Sequence, residues 1–96
     1  MPYIISPRVR AKLDQKHGGV SESEIDEAFA NRDGAFLIDI REEHKTNPPT
    51  EWFVSQTDRG RLIKVVFVNR KDGTIEIKSA YTPEQPTIDF YNRAAY

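Results

Sequence analysis

The spacing of apolar residues changes at Gly34, and this change constrains the fold of the 96-residue chain more than any other feature. Before Gly34, apolar residues recur at helical intervals, as with Ile25 and Phe29, which lie four positions apart. After Gly34, apolar and polar residues alternate, which is typical of strands with one buried face. The alternating segments are residues 35–42, 51–57, 61–69 and 74–81. A helical half followed by a strand half predicts an α+β fold.

Two helices are predicted in the first half. Ser6 and Pro7 supply an N-cap and a proline at the first helical position, so the first helix is expected to run from Pro7 to about His17. Ser21 and Glu24 have the spacing of a capping box, which places the start of the second helix at Ser21. The apolar stripe of this helix predicts that Ile25 and Phe29 are nearly inaccessible to solvent.

The second half predicts a four-stranded antiparallel meander, with strand order following the chain. Asp72-Gly73 between the last two strands favours a two-residue type I′ hairpin. Pro86 is placed at the start of a short C-terminal helix. The opening Tyr3-Ile4-Ile5 is only a short apolar run ahead of the first helix.

A single core requires both N-terminal helices on one face of the sheet, so the other face is expected to stay open. The alternation turns three groups of apolar residues inward: Phe36, Ile38 and Ile40; Ile63, Val65 and Phe67; and Ile75 and Ile77. It turns a charged set outward: Asp39, Arg41, Lys64, Glu76 and Lys78. One β-bulge would reverse part of this assignment.

Composition limits the class of protein. Ninety-six residues fit one domain, 1–96, and the absence of cysteine excludes a disulfide framework and any thiolate metal site. No His/carboxylate spacing suggests a bound metal, so no cofactor is expected. No apolar run approaches the length of a membrane span, and a cytoplasmic location is expected. The net charge of −1 hides an acidic helical region and a basic cluster in residues 59–78.

The order of elements and several residue runs resemble a known family. The quoted runs are Lys16-His17-Gly18, the helix from Ser21 to Asn31, Asp39-x-Arg41-Glu42-x-His44-x-Thr46-x-Pro48-Pro49-Thr50-x-Trp52-Phe53, Gly60-Arg61-x-x-Lys64-Val65-Val66 and Ile77-Lys78-Ser79-Ala80-Tyr81. Over residues 12–91 the chain resembles a BrnT-like toxin of the RelE/ParE toxin superfamily. The resemblance implies a RelE-like fold and a metal-independent ribonuclease that blocks translation in bacteria. It also implies a cognate antitoxin, RNA or ribosome-bound mRNA as partners, and a homo-oligomer or a toxin–antitoxin complex.

Metal-independent RNA cleavage needs a base, an acid and cations that stabilise the charge on phosphorus. The candidate catalytic residues are Arg41, His44, Lys64 and Glu42, with Glu76 as a second possible base. The candidate RNA-binding residues are Arg61, Lys78, Tyr81 and Tyr91. Tyrosine rings can stack on bases, and imidazole titrates near neutral pH.

Plainer interpretations stand beside these. Arg41 and Lys64 can be cross-strand partners of Asp39 and Glu76, with no chemical role. Tyr81 falls in the inward phase of its strand, which favours a structural role. Two other functions are a non-catalytic partner-binding relative of the toxin fold and a small hydrolase of nucleotide-like (ADP-ribosyl) substrates.

Overall fold

The computed structural model of the chain describes residues 3–13, 19–39 and 48–96. Its elements, in chain order, are β1 (Tyr3–Ile5), α1 (Pro7–Leu13), α2 (Glu22–Ala30), β2 (Leu37–Ile38), β3 (Thr50–Gln56), β4 (Leu62–Asn69), β5 (Ile75–Tyr81) and α3 (Gln85–Ala94). The α+β class is confirmed. Of the predicted first helix, the structure describes the part that ends at Leu13, and residues 14–18 lie outside the described residues.

The sheet has five strands in the order β1-β5-β4-β3-β2. The last four strands form the predicted antiparallel meander in chain order. The prediction of a four-stranded, wholly antiparallel sheet is wrong, because Tyr3–Ile5 adds a fifth strand parallel to β5. Three apolar residues carry no periodicity that would identify a strand, and a parallel pairing across the chain has no local turn signal.

Helix α2 begins as predicted. Ser21 accepts a hydrogen bond from the Glu24 N–H, and the Glu24 carboxylate accepts one from the Ser21 N–H, which completes the capping box. Ile25 is fully buried, as expected. Phe29 is only partly buried, so that part of the prediction is wrong. The Phe29 ring lies at the edge of the core, where Tyr3 stacks on it at 6.0 Å between ring centroids.

An aromatic cluster forms the core between α2 and the sheet. Phe29 lies 4.8 Å from Phe53 and 5.8 Å from Phe67, measured between ring centroids, and Phe36 contacts the same two rings. Phe53 and Phe67 are both nearly inaccessible. We call the side of the sheet that carries this cluster the helix face. The predicted inward residues of β4 and β5 also lie in the core: Ile63, Val65, Phe67, Ile75 and Ile77. The inward prediction for Ile38 is wrong, because β2 is a two-residue edge strand and leaves this side chain 56% exposed. Ile40 lies outside the described residues.

Two hairpin loops of the same length join β3 to β4 and β4 to β5. In the second, the backbone of Arg70 donates to Thr74, so three residues turn the chain rather than the predicted two. Gly73 takes a φ of +89° and Gly60, in the first loop, a φ of +87°. A glycine with positive φ at the end of a three-residue loop matches the right-handed twist of the strands.

We call the other side of the sheet the outer face. It was predicted to be open, but one helix covers part of it. Successive residues of a strand point to opposite faces, so Trp52 is on the outer face because its neighbour Phe53 is on the helix face. The Trp52 ring lies 6.2 Å from Phe90 and 5.6 Å from Tyr91, both on α3. Helix α3 therefore covers the β3 end of the outer face, while α1 packs near β5 and α2 near β3 and β4.

Candidate functional site

A bulge in β5 places Tyr81 beside Lys64. Val66 pairs with Ser79 and Phe67 pairs with Ile77, so Lys78 is the extra residue between these two pairs. The extra residue reverses the alternation, and Tyr81 becomes the direct partner of Lys64 on the outer face. The inward phase inferred for Tyr81 from sequence is therefore wrong, since the bulge lies between Ile77 and Tyr81.

Lys64 projects over aromatic rings. Its Nζ lies 4.5 Å from the centroid of the Trp52 ring and 5.7 Å from that of Tyr81. The structure pairs Lys64 with no carboxylate among the described residues. The plainer interpretation of Lys64 as a partner of Glu76 is therefore not observed. A cation held by ring faces keeps its charge available to an anionic ligand. We call Lys64, Trp52 and Tyr81 the cation–aromatic cluster.

Glu76 binds other cations. Its carboxylate accepts from Lys78 Nζ at 2.9 Å and from the Arg70 guanidinium at 2.7 Å. The hydrogen bonds from Lys78 and Arg70 hold the pKa of Glu76 below its usual value. A carboxylate with a lowered pKa is a weaker base, so Glu76 is a poor choice for the general base. Lys78, a predicted RNA-binding residue, shares the single charge of Glu76 with Arg70.

A groove adjoins the cation–aromatic cluster, between the end of β2 and α3. Its volume is about 720 Å³. Residues of four elements and a connecting segment line it, among them Ile38, Asp39, Trp52, Lys64, Thr87 and Phe90. Asp39, predicted to point outward, is 8% exposed and lies in this wall. We call this space the β2–α3 groove.

Two predicted RNA-binding residues, Arg61 and Tyr91, make contacts within the fold. The Arg61 guanidinium donates to both carboxylate oxygens of Glu24, at 3.1 and 3.0 Å, and so ties the start of β4 to α2. Tyr91 is 1% exposed, and its hydroxyl donates to the carbonyl of Ala35 at 2.7 Å. Tyr91 also packs against Gly34, where a Cβ atom would stand 2.6 Å from the tyrosine hydroxyl. Neither side chain belongs to the cation–aromatic cluster.

Three predicted catalytic residues, Arg41, Glu42 and His44, lie outside the described residues. The structure therefore brings together Lys64 and Tyr81 from the predicted site, and adds Trp52 and Phe90. The sequence favours a packing role for Trp52, in the core or at its edge, and no pattern marks Phe90 as a site residue. The only sequence signal for Phe90 is its position four residues after the proline that starts α3, which says nothing about the face it occupies.

The acidic side chains of α2 are bound within the fold. Glu22 pairs with Arg10, and Glu24 pairs with Arg61. Asp26 accepts from the Tyr3 hydroxyl at 2.6 Å, and Glu27 accepts from the backbone N–H of residue 58 at 2.8 Å. Helix α2 packs on the helix face, so these carboxylates and the cation–aromatic cluster are on opposite sides of the sheet.

No helix in the described part of the chain is long and apolar enough to cross a membrane. Comparisons of the chain with protein-family models, with curated proteins and with solved structures found no match.

Proposed function

We propose that this chain is a metal-independent endoribonuclease of a bacterial toxin–antitoxin pair, which stops translation by cutting RNA. The observation that carries the proposal is the position of Lys64, whose Nζ lies over Trp52 and Tyr81 on the outer face without a carboxylate partner among the described residues. The resemblance of the sequence to BrnT-like toxins supplies the reaction.

The composition of the cation–aromatic cluster fits single-stranded RNA. Such RNA offers phosphates, which attract cations, and unstacked bases, which stack on aromatic side chains. Lys64 provides the first kind of contact and Tyr81 the second. A lysine confined to structural use would be expected to pair with a neighbouring carboxylate, as Lys78 does with Glu76 at 2.9 Å.

The separation of charge between the two faces also supports RNA binding. Affinity for RNA depends on cationic contacts to phosphate, and nearby carboxylates weaken it. Four of the fifteen acidic residues lie on α2, where other parts of the fold bind them. These four carboxylates lie on the other side of the sheet and therefore do not offset the charge of Lys64.

In the proposed reaction, a base removes the proton of the 2′-hydroxyl, which attacks the adjacent phosphorus. An acid protonates the leaving 5′-oxygen, and Lys64 stabilises the negative charge that develops on the phosphoryl oxygens. The base and acid are assigned from sequence to Glu42 and His44. A cognate antitoxin protein is the proposed inhibitor of the reaction.

The test compares Lys64→Ala with Lys71→Ala. Both remove one positive charge, but Lys71 lies in the exposed β4–β5 loop, away from the cation–aromatic cluster. Expression of the wild-type chain should slow bacterial growth, and the purified protein should cleave RNA, either free or on ribosomes. Cleavage of free RNA should be unaffected by EDTA. Lys64→Ala should lower the cleavage rate by about 10²-fold or more, because it removes charge stabilisation from the transition state.

Lys71→Ala should cleave at the wild-type rate, and circular dichroism should show both variants folded. Equal rates for the two variants would remove Lys64 from the mechanism. Harmless expression, together with intact RNA under all conditions, would contradict the ribonuclease proposal and favour a partner-binding protein.

A further inference from the structure

We infer that the β2–α3 groove binds the base of a nucleotide whose phosphate lies at Lys64. The inference rests on the proposed function and names the part of the RNA that is recognised beside the cleaved bond. It concerns a binding site lined mainly by α3 and by residues 36–39, which shares Lys64 with the proposed chemistry.

The size of the groove suits such a ligand. Sites for small molecules commonly have volumes of roughly 300–1,000 Å³. The groove measures about 720 Å³, enough for a nucleoside and its phosphate.

The lining of the groove supplies an aromatic surface. Phe90 is 51% exposed, although it stacks on Trp52 with only 24° between the ring planes. Leu37, which pairs with Trp52 and therefore shares its face, also lines the groove. Proteins that bind single-stranded nucleic acid use exposed aromatic rings as stacking surfaces for bases. A planar base stacked on Phe90 would cover the exposed part of its ring.

Lys64 sets the chemical class of the ligand. It lines the groove and also holds its Nζ 4.5 Å from the Trp52 ring. An aliphatic ligand would contact the apolar lining but not neutralise Lys64. A bare phosphate would neutralise Lys64 but leave the apolar lining exposed. A nucleotide matches both, because it joins an aromatic base to an anionic phosphate. The nucleotide can be part of an RNA strand or a free mononucleotide.

Trp52 provides the measurement, because it is the only tryptophan in the chain and it lines the groove. Its fluorescence should change saturably when the protein is titrated with AMP or with a short single-stranded RNA. Ribose 5-phosphate, which has a phosphate but no base, should leave the fluorescence unchanged. A response to RNA alone assigns the site to a nucleotide within a strand, and a response to AMP at least as strong as that to RNA assigns it to the free nucleotide.

Phe90→Ala should weaken binding by roughly tenfold or more, because it removes the stacking surface. The matched control is Tyr96→Ala, which removes an aromatic ring that is 72% exposed and does not line the groove. This variant should bind like the wild type. Lys64→Ala should abolish the preference for AMP over adenosine, because only AMP carries the phosphate.

The outcomes separate this inference from the ribonuclease proposal. If the wild type cleaves RNA but neither AMP nor RNA changes the Trp52 fluorescence, the cleavage proposal stands and the groove inference fails. If AMP binds with the expected dependence on Phe90 but RNA stays intact, the groove binds a free nucleotide and the ribonuclease proposal fails. Equal loss of binding in Phe90→Ala and Tyr96→Ala would also overturn the groove inference.

Discussion

The two faces of the sheet are built from similar residues but are used differently. On the helix face, Phe53 and Phe67 are buried among other rings. On the outer face, Trp52 is covered by a cation and a half-exposed ring, Lys64 and Phe90. Aromatic residues on the helix face contribute mainly to stability, whereas those on the outer face leave surface and charge available to a ligand. Sequence hydrophobicity alone does not separate these two uses.

The largest expected difference between the faces is in stability. Phe53→Ala should lower the free energy of unfolding by about 3–5 kcal/mol, because it removes a fully buried ring and leaves a cavity. Phe90→Ala should cost only about 1 kcal/mol, since half of its surface is already exposed. Urea denaturation followed by circular dichroism measures both values. Similar midpoints for the two variants would contradict the distinction between the faces.

The sequence predicts the helix face better than the outer face, for physical reasons. The capping box of Ser21 and Glu24 and the alternation in β4 are local patterns, and local patterns determine where α2 begins and which strand residues are buried. The pairing of Tyr3–Ile5 with β5 depends on contacts between distant parts of the chain, so no local pattern shows it.

Two features of the outer face are likewise not predicted by local sequence patterns. The bulge at Lys78 decides the direction of Tyr81, and a bulge leaves no mark in a hydrophobicity pattern as short as β5. The face covered by α3 depends on its contacts with Gly34 and Ala35, which precede it by some fifty residues. Lys64 was identified correctly as an outer-face residue because β4 is regular on both sides of it.

The attachment of α3 to the outer face can be broken at Gly34. An alanine Cβ at this position would lie 2.6 Å from the Tyr91 hydroxyl and 3.0 Å from Ala95. Gly34→Ala should therefore cost about 1–3 kcal/mol and shift the C-terminal part of α3. The same shift should expose Trp52 and move its fluorescence emission to longer wavelength.

Two further variants test the cause of that effect. Gly60→Ala, at a φ of +87° with no atom closer than 4.0 Å, should destabilise through the backbone and leave the emission of Trp52 unchanged. Tyr91→Phe combined with Gly34→Ala removes the hydroxyl nearest to the new Cβ, so it should partly restore the emission. An unchanged emission in Gly34→Ala would show that α3 does not depend on this contact.

The smallest expected effect concerns the arginine that sequence assigned to RNA. Arg61→Ala removes two hydrogen bonds to Glu24, and both side chains are partly buried, so the loss should be about 1–2 kcal/mol at neutral pH. Arg59→Ala, in the adjoining loop, is the matched control and should change stability little. Arg61→Ala should leave the rate of RNA cleavage unaltered, in contrast to Lys64→Ala.

The contribution of Arg61 to stability should depend on pH, because Arg61 acts through the carboxylate of Glu24. Burial raises the pKa of Glu24, but the hydrogen bonds from Ser21 and Arg61 outweigh it and hold the pKa below its usual value. The unfolded chain therefore binds a proton at a higher pH than the folded chain does, and stability falls on acidification. The stabilisation is fully present above the usual glutamate pKa and is lost as the pH falls through the pKa of the folded state.

The stability difference between wild type and Arg61→Ala should consequently shrink below pH of about 4. A difference that stays constant between neutral and acidic pH would show that Arg61 contributes by packing rather than through the carboxylate of Glu24.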